Sequence, residues 1–219
     1  MDRKRSVISV IGAVFFAVLS IIFGIGIGSV YVPPRGILSA ISVRMFGDPM
    51  PEGLESTTVN IIMDLRMPRV ILAFLTGAAL SASGAAVQSV LRNPLASPYT
   101  LGVSSGASLG AGIVIAAGFT FLGQFTLAAA GLASALLTMF AAAAFTSRID
   151  KSFESSTIVL TGMVISLFIS AIVNLMANLA DEKYKQILKW QTGSFSGRGW
   201  GYCAVLAVVS AVCIAVYIS

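Results

Sequence analysis

Six stretches of the chain, residues 7–32, 70–91, 101–120, 121–145, 157–180 and 201–219, are predominantly apolar and hold no His, Asp, Glu, Lys or Arg in their middles. Each matches or approaches the ~20 residues that carry a helix across a bilayer. Hydrocarbon offers a backbone no hydrogen-bond partners, so a chain passing through it must be helical or close into a barrel. The runs are continuously apolar rather than alternating, which argues against a barrel. At 57% hydrophobic, 11% charged and a mean hydropathy of +0.92, the chain lies far from soluble domains, which are roughly half apolar and a quarter charged. The expected fold is all-α: a polytopic transmembrane helix bundle, with six helices in a single domain over residues 1–219.

Arg3-Lys4-Arg5 precedes the first run. A secretion signal begins the same way, but this run extends over residues 7–32 with no small-residue cleavage pattern before Pro33-Pro34, so it reads as a retained anchor. Basic flanks stay cytoplasmic, which sets the N-terminus inside. Six crossings then put residues 33–69 and 181–200 outside. The Lys and Arg at 3, 4, 5, 92, 148 and 151 fall inside on this layout, against those at 35, 44, 66, 69, 183, 185, 189 and 198 outside; the first helix, not the count, decides it. The net charge of +5 is dispersed along the chain, so no nucleic-acid partner is expected.

Residues 33–64 form the longest connection, an outer loop in which residues 35–46 have helical apolar spacing and read as a short helix at the membrane interface. Gly47 to Gly53 is rich in turn residues. Asp181, Glu182, Lys183, Lys185 and Lys189 read as a solvated outer loop. The last apolar run reaches Ser219 without a flanking charge, and the sequence reads as truncated at its C-terminus.

Inside the apolar pattern, Gly102, Gly106 and Gly110 recur every four residues, the spacing of a close helix-packing seam. No Gly-Lys-Ser/Thr phosphate loop occurs. Between the second and third runs, Pro94 and Pro98 break the helix and bias the residues before them toward extended backbone. In the fifth run Ser166, Ser170, Asn174 and Asn178 share one face, and a polar face in lipid must meet protein or water. Cys203 and Cys213 lie in the sixth run and there is no His, so neither a disulfide framework nor a resident metal or cofactor is expected.

The motifs Arg66-Met-Pro-Arg69, Gly77-Ala-Ala-Leu80, Ser83-Gly84, Gln88, Arg92-Asn93-Pro94-Leu95-Ala96, Pro98 and Leu101 to Ala107, with Trp190 to Phe195 and Trp200, together resemble the permease family of ABC importers for ferric siderophores, haem and cobalamin. The resemblance implies about ten helices in a full-length member, of which this chain matches the first six. It implies a second permease copy, identical or a close paralogue, with cytoplasmic ATPase subunits that hydrolyse the ATP, and an extracytoplasmic substrate-binding protein. It places the chain in a bacterial or archaeal plasma membrane. It assigns Arg66 and Arg69 to binding-protein docking, and Thr161, Gly162, Ser166, Ser170, Asn174 and Asn178 to the translocation pathway. Ser155, Ser156 and Thr157 fall where the family forms an inner gate.

An intramembrane enzyme would need acid–base or nucleophilic groups at depth, and ionisable groups are absent from the middles of the runs. Proton-driven transport would leave an ionisable relay there too, so the energy should come from a partner chain. The expected function is a permease subunit, not an enzyme, importing an iron chelate such as a ferric siderophore. Haem or cobalamin is the alternative within the family; a non-transporting fragment or a channel subunit is the alternative outside it.

Overall fold

The computed structural model describes residues 3–28, 32–51, 53–118, 120–152, 154–179 and 183–218, and every regular element among them is helical. In chain order these are α1 (Arg3–Gly26), α2 (Pro34–Phe46), α3 (Ser56–Asn60), a π-helical turn (Ile61–Arg66), α4 (Met67–Leu91), α5 (Val103–Ala117), a short 3-10 turn (Gly123–Phe125), α6 (Thr126–Ile149), α7 (Ser155–Leu179), α8 (Tyr184–Thr192) and α9 (Trp200–Ile218). Among the described residues, five helices are long and apolar enough to cross a membrane: Val7–Gly26, Ser56–Leu91, Gly123–Ile149, Ser155–Leu179 and Trp200–Tyr217.

Three expectations need correction. The third run, expected to be helical over residues 101–120, is helical only over the 15 residues of α5, which at ~1.5 Å per residue is shorter than a ~30 Å hydrocarbon layer. Left-handed glycines set both its ends, Gly102 (φ 85°) and Gly118 (φ 74°), a conformation that costs glycine nothing because it has no Cβ. The second crossing begins not at residue 70 but at Ser56, because the chain passes Pro68 through the π-turn instead of starting there. The stretch read as a solvated loop is largely α8: Ile187 on its inner side is 1% exposed, while Lys185 and Lys189 stay exposed. Asp181 and Glu182 lie outside the described residues.

The chain divides into two compact units, residues 1–79 with 195–219, and residues 80–194. In the first, Ile25 and Val32 from the end of α1 and beyond, Ile37 and Ala40 of α2, Val59 of α3, and Ile62 and Met63 of the π-turn form one buried cluster. Burying side chains of this size stabilises by about 1.5–3 kcal/mol each, which is what holds α2 against the π-turn. The exposed Arg44–Asp64 ion pair across the same contact, at 3.6 Å, adds well under that.

In the second unit, Ile115, Ile169, Val173, Ala177 and Ile187 bring α5, α7 and α8 together. Buried hydroxyls on α6 are satisfied within their own helix: Thr138 donates to the Ser134 carbonyl at 2.8 Å and Thr146 to the Ala142 carbonyl at 2.9 Å. Lys183 Nζ donates to the Ala116 carbonyl at 2.9 Å, a cation on the negative end of α5.

Candidate functional site

The segment joining α4 to α5 is non-helical but fully organised. Helix α4 ends with paired turn bonds, Asn93 N–H to the Gln88 carbonyl (3.2 Å) and Arg92 N–H to the Ser89 carbonyl (3.3 Å). This reversal is usually built on glycine, yet Arg92 occupies the left-handed position at φ 48°. Gln88 Nε2 then donates to the Pro94 carbonyl at 3.3 Å, and Asn93 Oδ1 accepts from the Leu95 N–H at 2.9 Å. Ser97 and Thr100 cap one another: Thr100 Oγ1 accepts from the Ser97 N–H at 2.9 Å, and Ser97 Oγ from the Thr100 N–H at 3.1 Å. Pro98 sits half-buried between them.

This segment lies directly on α7. A Cβ on Gly162 would overlap the Thr100 carbonyl oxygen and sit 2.9 Å from Leu101 Cα, so only glycine allows the approach. Gly102 follows, with Thr138 and Ser166 as its neighbours.

Helix α5 has two working faces. Gly106 and Gly110 press on α6: a Cβ on Gly106 would overlap Thr138 and stand 3.0 Å from the Ser134 carbonyl oxygen, and one on Gly110 would overlap the Ala130 carbonyl and stand 2.6 Å from Ser134 Cβ. Residues two positions away point roughly 200° around the helix. There Ser104 and Ser108 face a recess of about 290 Å³ lined also by Tyr99, Ser105, Ser166, Ser170, Val173, Asn174 and Gln191.

Of the expected pathway residues, the structure brings Ser166, Ser170 and Asn174 together in this recess. Thr161 and Gly162 are buried in helix packing. Asn178 is exposed, and its Nδ2 donates to the Asn174 carbonyl at 2.8 Å. Sequence reasoning missed Ser104, Ser108, Tyr99 and Gln191 as lining. The serines carried a signal, since 104 and 108 share a helical face, but the glycine spacing beside them dominated the reading.

Ser155, Ser156 and Thr157 form the first turn of α7, with Ser156 exposed and the other two half-buried. The turn before them is organised by Asp150, whose carboxylate accepts from Ser152 Oγ, the Ser152 N–H (2.9 Å) and the Glu154 N–H (3.0 Å). Hydrogen bonding from the Ser152 hydroxyl first, then from the Glu154 and Ser152 amides, pulls the Asp150 pKa down to about 2.

Arg66 and Arg69 are close in sequence but differ in setting. Arg66 is half-buried and its Nη1 donates to the Ile25 carbonyl at 3.1 Å, at the negative end of α1. Arg69, one turn into α4, is exposed. Among the described residues, no group of three His, Cys, Asp or Glu is placed to hold a metal ion.

The FecCD transport family model matches residues 7–219. The uncharacterised ABC transporter permease protein YvrB of Bacillus subtilis is 43% identical over 92% of this chain and 57% of its own length. The Fe(3+)-citrate import system permease protein YfmE of the same organism is 34% identical over 94% of this chain and 58% of its own length. The molybdate import system permease protein MolB of Haemophilus influenzae is 31% identical, over 95% and 60%. A solved inward-facing structure assigned to the metal-chelate type of ABC transporter superposes with a TM-score of 0.73 at 25% identity, covering 94% of this chain and 59% of that one. The chain thus spans less than two thirds of the length of these relatives.

Proposed function

The chain belongs to the FecCD transport family, and from that premise we propose that it serves as the membrane-spanning permease subunit of an ATP-driven importer for an iron chelate. In this reading it sits in the plasma membrane with its N-terminus cytoplasmic, and a second permease copy, identical or a close paralogue, completes the channel. Cytoplasmic ATPase subunits supply the energy, and an extracytoplasmic binding protein delivers a ferric siderophore or similar chelate. The observation that carries the reading is the family match over residues 7–219. The middles of the long helices, which hold no ionisable residue, support it from the energetic side, since they leave no proton relay and put the driving force on a partner.

The pathway follows α7. Ser166, Ser170 and Asn174 face it, Thr161 and Gly162 precede them on the same helix, where Gly162 also admits the 92–102 segment, and Asn178 continues the polar face. Ser155, Ser156 and Thr157 act at the inner gate, and Arg69, with Arg66 behind it, meets acidic groups on the docked binding protein. Charge pairing of this kind steers encounter and orientation more than it adds affinity.

Likeness to a molybdate permease gives a second reading, a bare oxyanion as cargo. The recess beside α7 has no Lys or Arg in its lining, so it supplies hydrogen-bond donors but no fixed positive charge against an anion's desolvation. That favours the chelate. The test is reconstitution of the intact protein with its ATPase and binding protein, followed by ATP-dependent uptake of a radiolabelled ferric chelate against radiolabelled molybdate.

A further inference from the structure

The recess between α5, α7 and α8 holds an unusual surplus of unused hydrogen-bonding groups. In a membrane helix a serine can return its hydroxyl to a carbonyl one turn back. Ser105 does so to the Gly102 carbonyl at 3.0 Å and Ser166 to the Gly162 carbonyl at 2.8 Å. Ser104, Ser108 and Ser170 do not, and their hydroxyls, like the side-chain amides of Asn174 and Gln191, make no hydrogen bond among the described residues. Facing hydrocarbon, each would forfeit several kcal/mol. Three hydroxyls and two amides from three different helices, converging on about 290 Å³, therefore require water, a ligand or further protein.

The lining also has a defined electrical character. Its nine residues include no Asp, Glu, Lys or Arg, and Val173 is its one aliphatic side chain. Such a surface exchanges hydrogen bonds with hydroxyl, amide and carbonyl groups but supplies no fixed charge to hold an ion.

We propose that this recess is a water-filled cargo-contact site, extending the pathway from α7 onto Ser104 and Ser108 of α5 and Gln191 of α8, and that it takes the uncharged hydrogen-bonding groups of an organic chelate rather than bare ions. The cargo role rests on the importer reading above; the water-filled, charge-neutral recess does not.

The experiment therefore has two arms, both on the intact protein in membranes with Cys213→Ala as background. In the first, Ser104→Cys, Ser108→Cys and Ser170→Cys are reacted with cationic and anionic methanethiosulfonates, each rate normalised to that reagent's rate on a free thiol. Labelling at all three positions, with the normalised rates for the two charges within about tenfold of each other, supports the recess; Leu132→Cys and Leu137→Cys on the outer side of α6 should stay unreacted. Failure to label at 104 and 108, or a strong preference for one sign of charge, overturns it.

In the second arm, the paired change Ser104→Ala with Ser108→Ala should cut initial ferric-chelate uptake about tenfold, as the loss of two weak hydrogen bonds to passing cargo would. Labelling at Ser170→Cys in the same double variant reports that the recess still forms. Unchanged uptake overturns the cargo role. A wild-type complex that labels as expected but transports no chelate overturns the importer reading, and the cargo role with it, while leaving the water-filled recess standing.

Discussion

The indole N–H of Trp200 donates to the carbonyl of Met63 at 2.9 Å, and the reason lies at Pro68. In the π-turn each carbonyl accepts from the residue five ahead, as Ile62 does from the Met67 N–H. The next carbonyl in that register, Met63, meets Pro68, which has no N–H to give. Trp200 supplies the missing donor from α9, and one turn on Cys203 Sγ donates to the Pro68 carbonyl at 3.3 Å.

Removing the donor should cost accordingly. Trp200→Phe keeps most of the apolar area and strands a part-buried carbonyl, a loss of about 1–3 kcal/mol, read as a lowered melting midpoint in detergent. Pro68→Ala restores a backbone donor, so Trp200→Phe should cost less in that background. Equal penalties in the two backgrounds would show that Pro68 and Trp200 are not coupled.

Glycine replacements should separate by packing, not by helix propensity. Gly110→Ala forces a methyl group against the Ala130 carbonyl and Ser134 and should destabilise by about 1–3 kcal/mol. Gly12→Ala in α1 meets nothing within 4 Å and should be neutral or gain up to about 1 kcal/mol. Thermal melting of the two variants side by side checks the order.

The turn into α7 should be acid-sensitive. Asp150 titrates at about 2 instead of its ordinary 3.8 because Ser152 and the Glu154 and Ser152 amides bond its charged form. A depressed carboxylate contributes stability that is present above the unfolded value and lost as pH falls through the folded one. Asp150→Ala should therefore be less stable than the parent at neutral pH, and the gap should narrow between about pH 4 and pH 2. A gap independent of pH over that window would remove Asp150 from this role.

Arg66 and Arg69 should behave differently when reversed. Arg69→Glu, at an exposed position, should weaken binding-protein docking and leave the melting midpoint unchanged. Arg66→Glu also loses the hydrogen bond to the Ile25 carbonyl and should lower both. Unchanged docking in Arg69→Glu, measured by surface capture of the binding protein on the intact complex, would reject the docking role.

How far the sequence reached depended on the range of the cause. Long apolar runs are local, and five of them became helices of membrane-crossing length near their expected places. The α7 polar face was legible because Ser166, Ser170 and Asn174 share a helical period. The start of the second crossing was not: Pro68 looks like a helix beginning, and its missing N–H is made good by a tryptophan 137 positions from Met63. Helix α8 escaped notice because Lys183, Lys185 and Lys189 dominate a short segment, although Ile187 and Trp190 already stand one turn apart. The recess required knowing that α5 turns its glycines to α6 and its serines away, which no single-helix spacing reveals.

The most direct test of the central claim is uptake by the reconstituted complex of the intact protein, its ATPase and its binding protein. The account predicts ATP-dependent accumulation of a radiolabelled ferric chelate inside sealed vesicles, abolished when the ATPase is left out. Accumulation that proceeds equally without ATP, or none at all for any ferric chelate while molybdate enters, would contradict it.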